Sequence, residues 1–154
     1  MQYAPEMSRL HFFGWLFFAL AVYPLNGADV AVYQKTAAAA LQFEIAQIGK
    51  DCGKAQTTLE INSCLLSVAE KTESNFRALY GSLRSLLNTE PETARQLDDS
   101  EAQWVKYSTS ACDAVDSFYS SGSIRVAAVT GCRIQLTRSR MQDLNALYFS
   151  VLHL

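Results

Sequence analysis

The chain has little histidine and no closely spaced pair of cysteines, which removes several kinds of catalytic and metal site. It contains two histidines, His11 and His153, and four cysteines, no two of which are separated by only two residues. Zinc sites and redox dithiols use that cysteine spacing, and a Ser-His or Cys-His mechanism needs a histidine base. We therefore predict no catalytic, cofactor-binding or metal-binding residues, and we expect the protein not to be an enzyme.

The chain also lacks an excess of charge of either sign. Thirteen Lys and Arg against fifteen Asp and Glu give a net charge of −2, and no run of like charges marks a tail. A nucleic-acid-binding protein would need a basic face, so we predict no nucleic-acid partner. The apolar fraction of 49% is enough for a chain of this length to bury one core.

The chain lacks an apolar run long enough to cross a bilayer. Its apolar stretch, residues 12–22, follows basic residues and precedes Pro24 and the small residue Ala28. The stretch is shorter than the roughly 20 residues that span a membrane and is typical of a secretory signal peptide. We predict a signal peptide over 1–28 and one helical domain over 29–154. The mature protein is then periplasmic or secreted without stable membrane insertion, and a retained anchor is the alternative.

Apolar residues at helical spacing predict an all-α fold. The first helix covers Asp29 to Ile48, with apolar residues on more than one face, and ends at Gly49. The second shows one continuous apolar stripe. That stripe consists of Ile61, Leu65, Val68, Thr72, Phe76, Leu79, Leu83 and Leu86. We predict a small disulfide-stapled bundle of about four helices, built from antiparallel helical hairpins.

Capping residues place the boundaries of the second helix and the start of the third. Thr57 or Thr58 can cap the second helix, because a hydroxyl accepts a hydrogen bond from an unpaired amide of the first turn. That helix is expected to end near Asn88. Pro91 suits the first turn of the next helix, where its missing N–H costs nothing.

The third and fourth helices are predicted to form a hairpin around Ser120 to Ser123, with Ser123 as the cap of the fourth helix. Both helices have apolar residues at helical spacing. Before the turn these are Leu97, Trp104, Val105, Ala111, Val115 and Phe118. After the turn they are Leu136, Met141, Leu144, Leu147 and Val151.

Four cysteines allow three disulfide connectivities, and loop geometry favours one of them. Cys112 and Cys132 lie at similar heights on the two sides of the predicted hairpin, since they are about 9 and 11 residues from the turn. Cys52 and Cys64 are close in sequence, so that bridge would tie a loop to the second helix. We expect these two pairings, in a compartment where disulfides persist.

Three interleaved motifs and the four cysteines follow one another along residues 51–147. Their residues are Cys52, Cys64, Tyr80, Gln103, Trp104, Tyr107, Cys112, Cys132, Leu136, Thr137 and Arg140. Together they resemble the LprI-like N-terminal domain family. Family members are exported bacterial proteins, and the namesake is described as a lysozyme inhibitor. The resemblance implies a protein-binding domain that inhibits lysozyme-type muramidases. The alternative is a non-inhibitory structural or accessory module of the periplasm.

Three of the motif residues have structural interpretations of their own. Trp104 and Tyr80 lie on helical apolar stripes and are expected to be core aromatics. Arg140 lies on the face of the fourth helix that should be buried, so it needs a carboxylate partner. Glu73 is the first candidate for that partner and Glu101 is the second.

Two helix-connecting loops are candidate contact regions for an inhibited enzyme, because loops enter a cleft more easily than helix faces do. The loop from Asn88 to Glu92 offers Glu90 and Glu92 to a cationic rim. The turn from Tyr119 to Ser123 offers Tyr119 as a rigid aromatic anchor. We favour the turn, because a disulfide in the hairpin would order it before binding.

Overall fold

Four helices account for most of the computed structural model, which describes residues 27–152, with side chains from residue 30 to residue 148. They are α1 (Gly27–Gln47), α2 (Thr58–Leu86), α3 (Pro91–Phe118) and α4 (Arg125–Leu152), with a 3₁₀ turn (Leu87–Thr89) after α2. No strand occurs in this range, which confirms the all-α prediction. None of the described helices combines the length and apolar character that crossing a membrane requires. Most of the predicted leader lies outside the described residues.

The residues predicted to end α1 and to begin α2 and α3 lie at those helix ends. The Thr57 hydroxyl accepts a hydrogen bond from the Glu60 N–H (3.2 Å), and the Glu60 carboxylate accepts one from the Thr57 N–H (3.1 Å). This capping box satisfies two amides that lack helical partners. Gly49, with a φ of 74°, follows the end of α1. Pro91 is the first residue of α3.

The apolar stripe of α2 contributes much of the core. Thr72, Phe76, Leu79, Leu83 and Leu86 are buried, whereas the stripe residues nearer the start of α2 are half-buried. Buried residues from α1, α3 and α4 pack with the stripe in one core. The core is formed by Tyr33, Ala37, Ala40, Phe76, Leu79, Leu83, Leu86, Leu87, Ala94, Leu97, Met141 and Leu144.

Helix α1 buries a face different from the one its large apolar residues suggest. The buried positions are Tyr33, Ala37, Ala40 and Glu44, at intervals of three and four residues. The large apolar side chains of Val32, Phe43 and Ile45 in α1 remain exposed. The alanines allow α1 to pack closely on its neighbours, so their small size decides which face is covered.

A buried charge network joins α1 to α2 and α4. Arg138 Nε donates to Glu44 Oε2 (2.8 Å), and its Nη1 and Nη2 atoms donate to the Asp51 carboxylate. Glu44 also accepts from the Thr72 hydroxyl (2.9 Å) and from Asn75 Nδ2 (2.6 Å). Because Arg138 pairs with two carboxylates and Glu44 accepts from three donors, the network can be buried without an uncompensated charge.

Some residues predicted for the buried faces of α3 and α4 are exposed. Val105 and Phe118 of α3 and Leu147 of α4 face solvent. Helix α3 packs mainly against α4, so only a narrow face of it is covered. The prediction that Ser123 caps α4 was wrong. The Ile124 carbonyl accepts the first helical hydrogen bond, from the Ala128 N–H (2.9 Å), which places Ile124 at the cap position.

Both predicted disulfides are confirmed. Cys52 pairs with Cys64 and Cys112 pairs with Cys132, each with a Cα–Cα distance of 5.8 Å. The first bridge attaches the loop after α1 to α2, and the second joins α3 to α4. In the chain-entropy model, closing loops of these lengths stabilises a fold by about 3 kcal/mol each.

Candidate functional site

The turn between α3 and α4 carries an exposed apolar surface, and we call residues 118–126 the hairpin tip. Phe118 is 81% exposed, and Tyr119, Ile124 and Val126 are also exposed. The rings of Phe118 and Tyr119 meet edge to face, with centroids 5.0 Å apart. Single exposed apolar residues are ordinary, whereas contiguous ones mark contact sites. The tip therefore has the composition of a protein-binding surface.

Backbone hydrogen bonds order the hairpin tip. The Tyr119 N–H donates to the Val115 carbonyl (3.1 Å), and the Gly122 N–H donates to the Tyr119 carbonyl (2.9 Å). The Arg125 N–H then donates to the Gly122 carbonyl (3.1 Å). Three consecutive turns of backbone are thereby fixed, so the exposed rings are presented on a defined loop.

A salt bridge closes the base of the hairpin tip. Arg125 Nε and Nη2 donate to the two carboxylate oxygens of Asp116, both at 2.6 Å. The hydrogen bond from Arg125 lowers the pKa of Asp116, and the charge of Arg133 adds to this effect. An exposed pair of this kind adds little stability, but its two parallel bonds restrict the geometry. Cys112 lies four residues before Asp116, so the Cys112–Cys132 disulfide is about one helical turn further from the tip than this salt bridge.

The second predicted contact loop, Asn88 to Glu92, offers less than expected. Glu92 Oε1 accepts hydrogen bonds from Arg95 Nη2 (2.7 Å) and Gln96 Nε2 (2.9 Å), which lower the Glu92 pKa. Its charge is thus already paired within α3, as neighbours three and four residues apart on a helix allow. Glu90 is exposed. Of the two acidic residues, Glu90 alone remains available to a cationic rim.

A groove of about 280 Å³ lies between α2, α3 and α4, and we call it the aromatic groove. It combines an apolar wall with charged and hydroxyl groups, and it contains the motif positions Trp104 and Thr137. Its lining residues are Glu73, Phe76, Glu101, Trp104, Val105, Ser108, Thr109, Arg133 and Thr137.

Three stacked rings form the wall of the aromatic groove and its continuation along α2. The rings of Trp104 and Phe76 have centroids 5.7 Å apart, and those of Phe76 and Tyr80 are 6.0 Å apart. The Tyr80 hydroxyl donates to Asp98 Oδ1 (2.6 Å), and burial together with this bond raises the pKa of Tyr80. Tyr80 packs against the core as predicted, but it is half-buried, as is Trp104.

Arg140 is buried and paired with a carboxylate, as predicted from its position on the buried face of α4. Its Nε donates to Glu101 Oε2 (3.1 Å), and its Nη2 donates to the Ser100 hydroxyl (2.9 Å). The first candidate partner, Glu73, was wrong. Glu73 instead accepts from Arg77 Nε (3.0 Å), its neighbour four residues along α2.

The other motif residues are not gathered at one site. Gln103 and Tyr107 are exposed and four residues apart, on the outer face of α3. Leu136 is half-buried and Thr137 is buried. Within the described part of the chain, no group of three His, Cys, Asp or Glu side chains is placed to hold a metal ion. The roles of these motif residues remain predictions.

Sequence comparison confirms the predicted resemblance. The chain matches the family described as Lysozyme inhibitor LprI over residues 50–144. No curated protein and no solved structure matches the chain. The matched residues include both disulfides, the hairpin tip and the whole lining of the aromatic groove, whereas α1 lies outside the match.

Proposed function

This chain belongs to the lysozyme inhibitor LprI family, and from that membership we propose that it binds lysozyme-type muramidases and inhibits them without turnover. The match over residues 50–144 is the observation that carries this proposal. Inhibition of this kind needs a surface that fills the enzyme's substrate cleft, and it needs no catalytic group. Affinity then depends on a few well-placed anchor side chains.

The hairpin tip is the surface that we assign to the enzyme contact. Phe118 and Tyr119 are adjacent aromatic side chains, and large rings in a central position supply much of the affinity of protein interfaces. Ile124 and Val126 are further exposed apolar residues of the tip. Tyr119 was the anchor predicted from sequence, and the greater exposure of Phe118 adds it as a second anchor.

Order in the free protein supports this assignment. Binding costs free energy when loops and side chains must be immobilised, so a loop that is already ordered loses less on binding. The hairpin tip is held by backbone hydrogen bonds, by the Asp116–Arg125 pair and by the Cys112–Cys132 disulfide. The tip therefore combines exposed anchors with a fixed backbone.

Export of the protein belongs to the same proposal. Two disulfides are typical of proteins in oxidising compartments, which include the periplasm and the medium. We propose that the apolar leader directs secretion and is cleaved near Ala28. N-terminal sequencing of protein from the periplasm or medium should give a start near Asp29, whereas a chain that retains Met1 in the membrane fraction would contradict this step.

Titration of the purified protein into a muramidase assay tests the inhibition directly. Chicken-type lysozyme and a bacterial muramidase, each clearing cell walls, should lose activity in proportion to added inhibitor, with saturation near one equivalent. Phe118→Ala and Tyr119→Ala should each weaken inhibition about tenfold or more, as loss of an interface anchor does. Unchanged activity of both enzymes would favour the accessory-module alternative.

Leu147→Ala provides a matched control. Leu147 is an exposed apolar residue on α4, about 33 Å from Arg125 along the helix. Its truncation should leave inhibition unchanged. If Leu147→Ala and Phe118→Ala weaken inhibition equally, the contact is not specific to the hairpin tip. If inhibition is stoichiometric but neither tip variant weakens it, the enzyme binds another face of this protein.

A further inference from the structure

The aromatic groove contains hydrogen-bonding groups that the protein itself does not use. Arg133 makes no hydrogen bond or ion pair with any other described residue, although its charge acts on Asp116. The hydroxyls of Thr109 and Thr137 likewise have no hydrogen-bond partner among the described residues. Glu73 uses one carboxylate oxygen for Arg77. Glu101, which also lines the groove, has one carboxylate oxygen buried without a hydrogen-bond partner among the described residues. The groove therefore holds a free guanidinium, two free hydroxyls and two carboxylates with remaining capacity.

The apolar wall of the aromatic groove adds a flat surface to these polar groups. Trp104 is half-buried and its ring stacks on Phe76. Small-molecule sites are typically concave and apolar with a few convergent polar groups, and a volume of about 280 Å³ is at the lower end of their sizes. Such a volume suits a ligand with a single ring.

We propose that the aromatic groove binds a small sugar acid, whose carboxylate pairs with Arg133, whose hydroxyls reach Glu73 and Thr137, and whose apolar ring face lies against Trp104. The guanidinium group has a planar set of donors that matches a carboxylate. None of the residues that line the aromatic groove belongs to the hairpin tip. The proposal does not depend on muramidase inhibition.

Two other ligand classes fit the groove less well. A neutral sugar would leave the Arg133 guanidinium without an anionic partner. A hydroxyl-free aromatic acid would pair with Arg133 but would cover Glu73 and Thr137 without offering them hydrogen bonds, which is costly for polar groups that leave water. A sugar acid satisfies the cation, the acceptor and the hydroxyl together.

Binding can be read at Trp104 itself. The full chain has two tryptophans, Trp15 and Trp104. Trp15 lies in the leader that we propose is cleaved, so Trp104 is the sole indole of the mature protein. The probes are D-glucuronate, D-glucose and benzoate. Their binding is measured by tryptophan fluorescence and by the indole N–H signal in NMR spectra. Glucuronate should bind with a Kd in about the millimolar range, and glucose and benzoate should each bind about tenfold more weakly.

Arg133→Gln separates the proposed site from nonspecific binding. Arg133 is exposed, so its replacement should leave the circular dichroism spectrum unchanged. The variant should reduce glucuronate affinity about tenfold, to the level of glucose, without changing the affinity for glucose. Arg95→Gln is the matched control, because Arg95 is also exposed but lies outside the groove, and it should have no effect.

Three results would overturn the sugar-acid site. They are equal affinity for glucuronate and glucose, tighter binding of benzoate than of glucuronate, and an Arg133→Gln variant that binds glucuronate normally. Each is read from Trp104 in the absence of any muramidase. Failure of this site is therefore distinguishable from failure of inhibition, which is read from enzyme activity.

Discussion

Helix α4 carries two buried arginines, two residues apart, that face different neighbours. The Arg138 side chain is 6% exposed and pairs with Glu44 of α1, whereas Arg140 is 10% exposed and pairs with Glu101 of α3. Two residues correspond to about 200° of rotation around a helix, so the two side chains point to nearly opposite sides. The central helix thus holds a neighbour on each side through an ion pair.

The two sides differ in how completely their charges are satisfied. Glu44, 1% exposed, accepts hydrogen bonds from Arg138, Thr72 and Asn75. Glu101 is 13% exposed, and its Oε1 atom is buried without a hydrogen-bond partner among the described residues. They also differ covalently, because the Cys112–Cys132 disulfide joins α3 to α4, whereas the Cys52–Cys64 disulfide joins the loop after α1 to α2 and not to α4. The α1 side should therefore depend more on its ion pair than the α3 side does.

Arg138→Ala should have the largest effect, a loss of about 3 to 5 kcal/mol in the free energy of unfolding, because it leaves Glu44 as an uncompensated buried charge. Urea denaturation followed by circular dichroism measures this loss. Hydrogen exchange should increase first in α1, since that helix loses its polar attachment to α4. Equal protection of α1 in both proteins would show that apolar packing alone holds it.

Two variants control for this result. Replacing Arg138 and Glu44 together by Leu should cost much less than Arg138→Ala, because the most deeply buried carboxylate is removed with its partner and only the half-buried Asp51 loses its ion pair. Arg77→Ala removes an exposed partner of Glu73 and should change stability by about 0.5 kcal/mol or less. A double variant as unstable as the single one would mean that Arg138 acts mainly through packing.

Replacing Cys112 and Cys132 together by Ala should cost about 3 kcal/mol, the value expected for a bridge that closes a loop of this length. The same urea measurement applies. Helix α3 should then exchange its amides more readily, which would bring its behaviour closer to that of α1. If the loss is below about 1 kcal/mol, the packing of α3 on α4 is sufficient without the bridge.

The sequence predicted features that depend on local signals better than it predicted contacts between helices. The stripe of α2, a threonine cap at Thr57 or Thr58 and Pro91 at the start of α3 were predicted because each is a local signal. The burial of Arg140 was also predicted, since the residue lies between Leu136 and Leu144 at helical spacing. Its partner was not, because the choice between Glu73 and Glu101 depends on how α3 packs against α4.

The Arg138 network was missed, although part of its signal is present in the sequence. Arg138 lies four residues after Ile134 and three before Met141, both of which are buried. That spacing could have indicated a buried arginine. Glu44 could not be identified in the same way, because the buried face of α1 is marked by Ala37 and Ala40 rather than by large apolar residues. The exposure of Phe118 was missed since helical spacing cannot show where a neighbouring helix ends.

Arg140→Ala should cost about 2 kcal/mol, less than Arg138→Ala, because it removes charged hydrogen bonds but leaves a carboxylate less deeply buried than Glu44 and leaves α3 crosslinked to α4. Thermal or urea denaturation measures the difference. Arg140→Leu combined with Glu101→Leu should recover most of the loss, whereas Arg140→Leu combined with Glu73→Leu should not. Recovery by the Glu73 combination would contradict the pairing described for Arg140.

The smallest expected effect is a pH dependence at Glu101. Burial raises the pKa of Glu101 above its ordinary value of 4.5, although the hydrogen bond from Arg140 opposes the shift. The folded state then binds this proton more tightly than the unfolded state does. The stability contributed by Glu101 is therefore present below pH 4.5 and is lost as the pH rises through the raised pKa.

Glu101→Gln removes this titration, so the stability of the wild type relative to the variant should fall as the pH rises from 4.5. Urea denaturation of both proteins over a pH series measures this difference, and NMR of the Glu101 carboxyl carbon reports the pKa directly. Glu60→Gln gives a control of opposite sign, because backbone hydrogen bonds lower the Glu60 pKa and its contribution is lost as the pH falls. If the stability of the wild type relative to Glu101→Gln instead rises with pH, attraction to Arg140 outweighs burial, and the two sides of α4 are electrostatically alike.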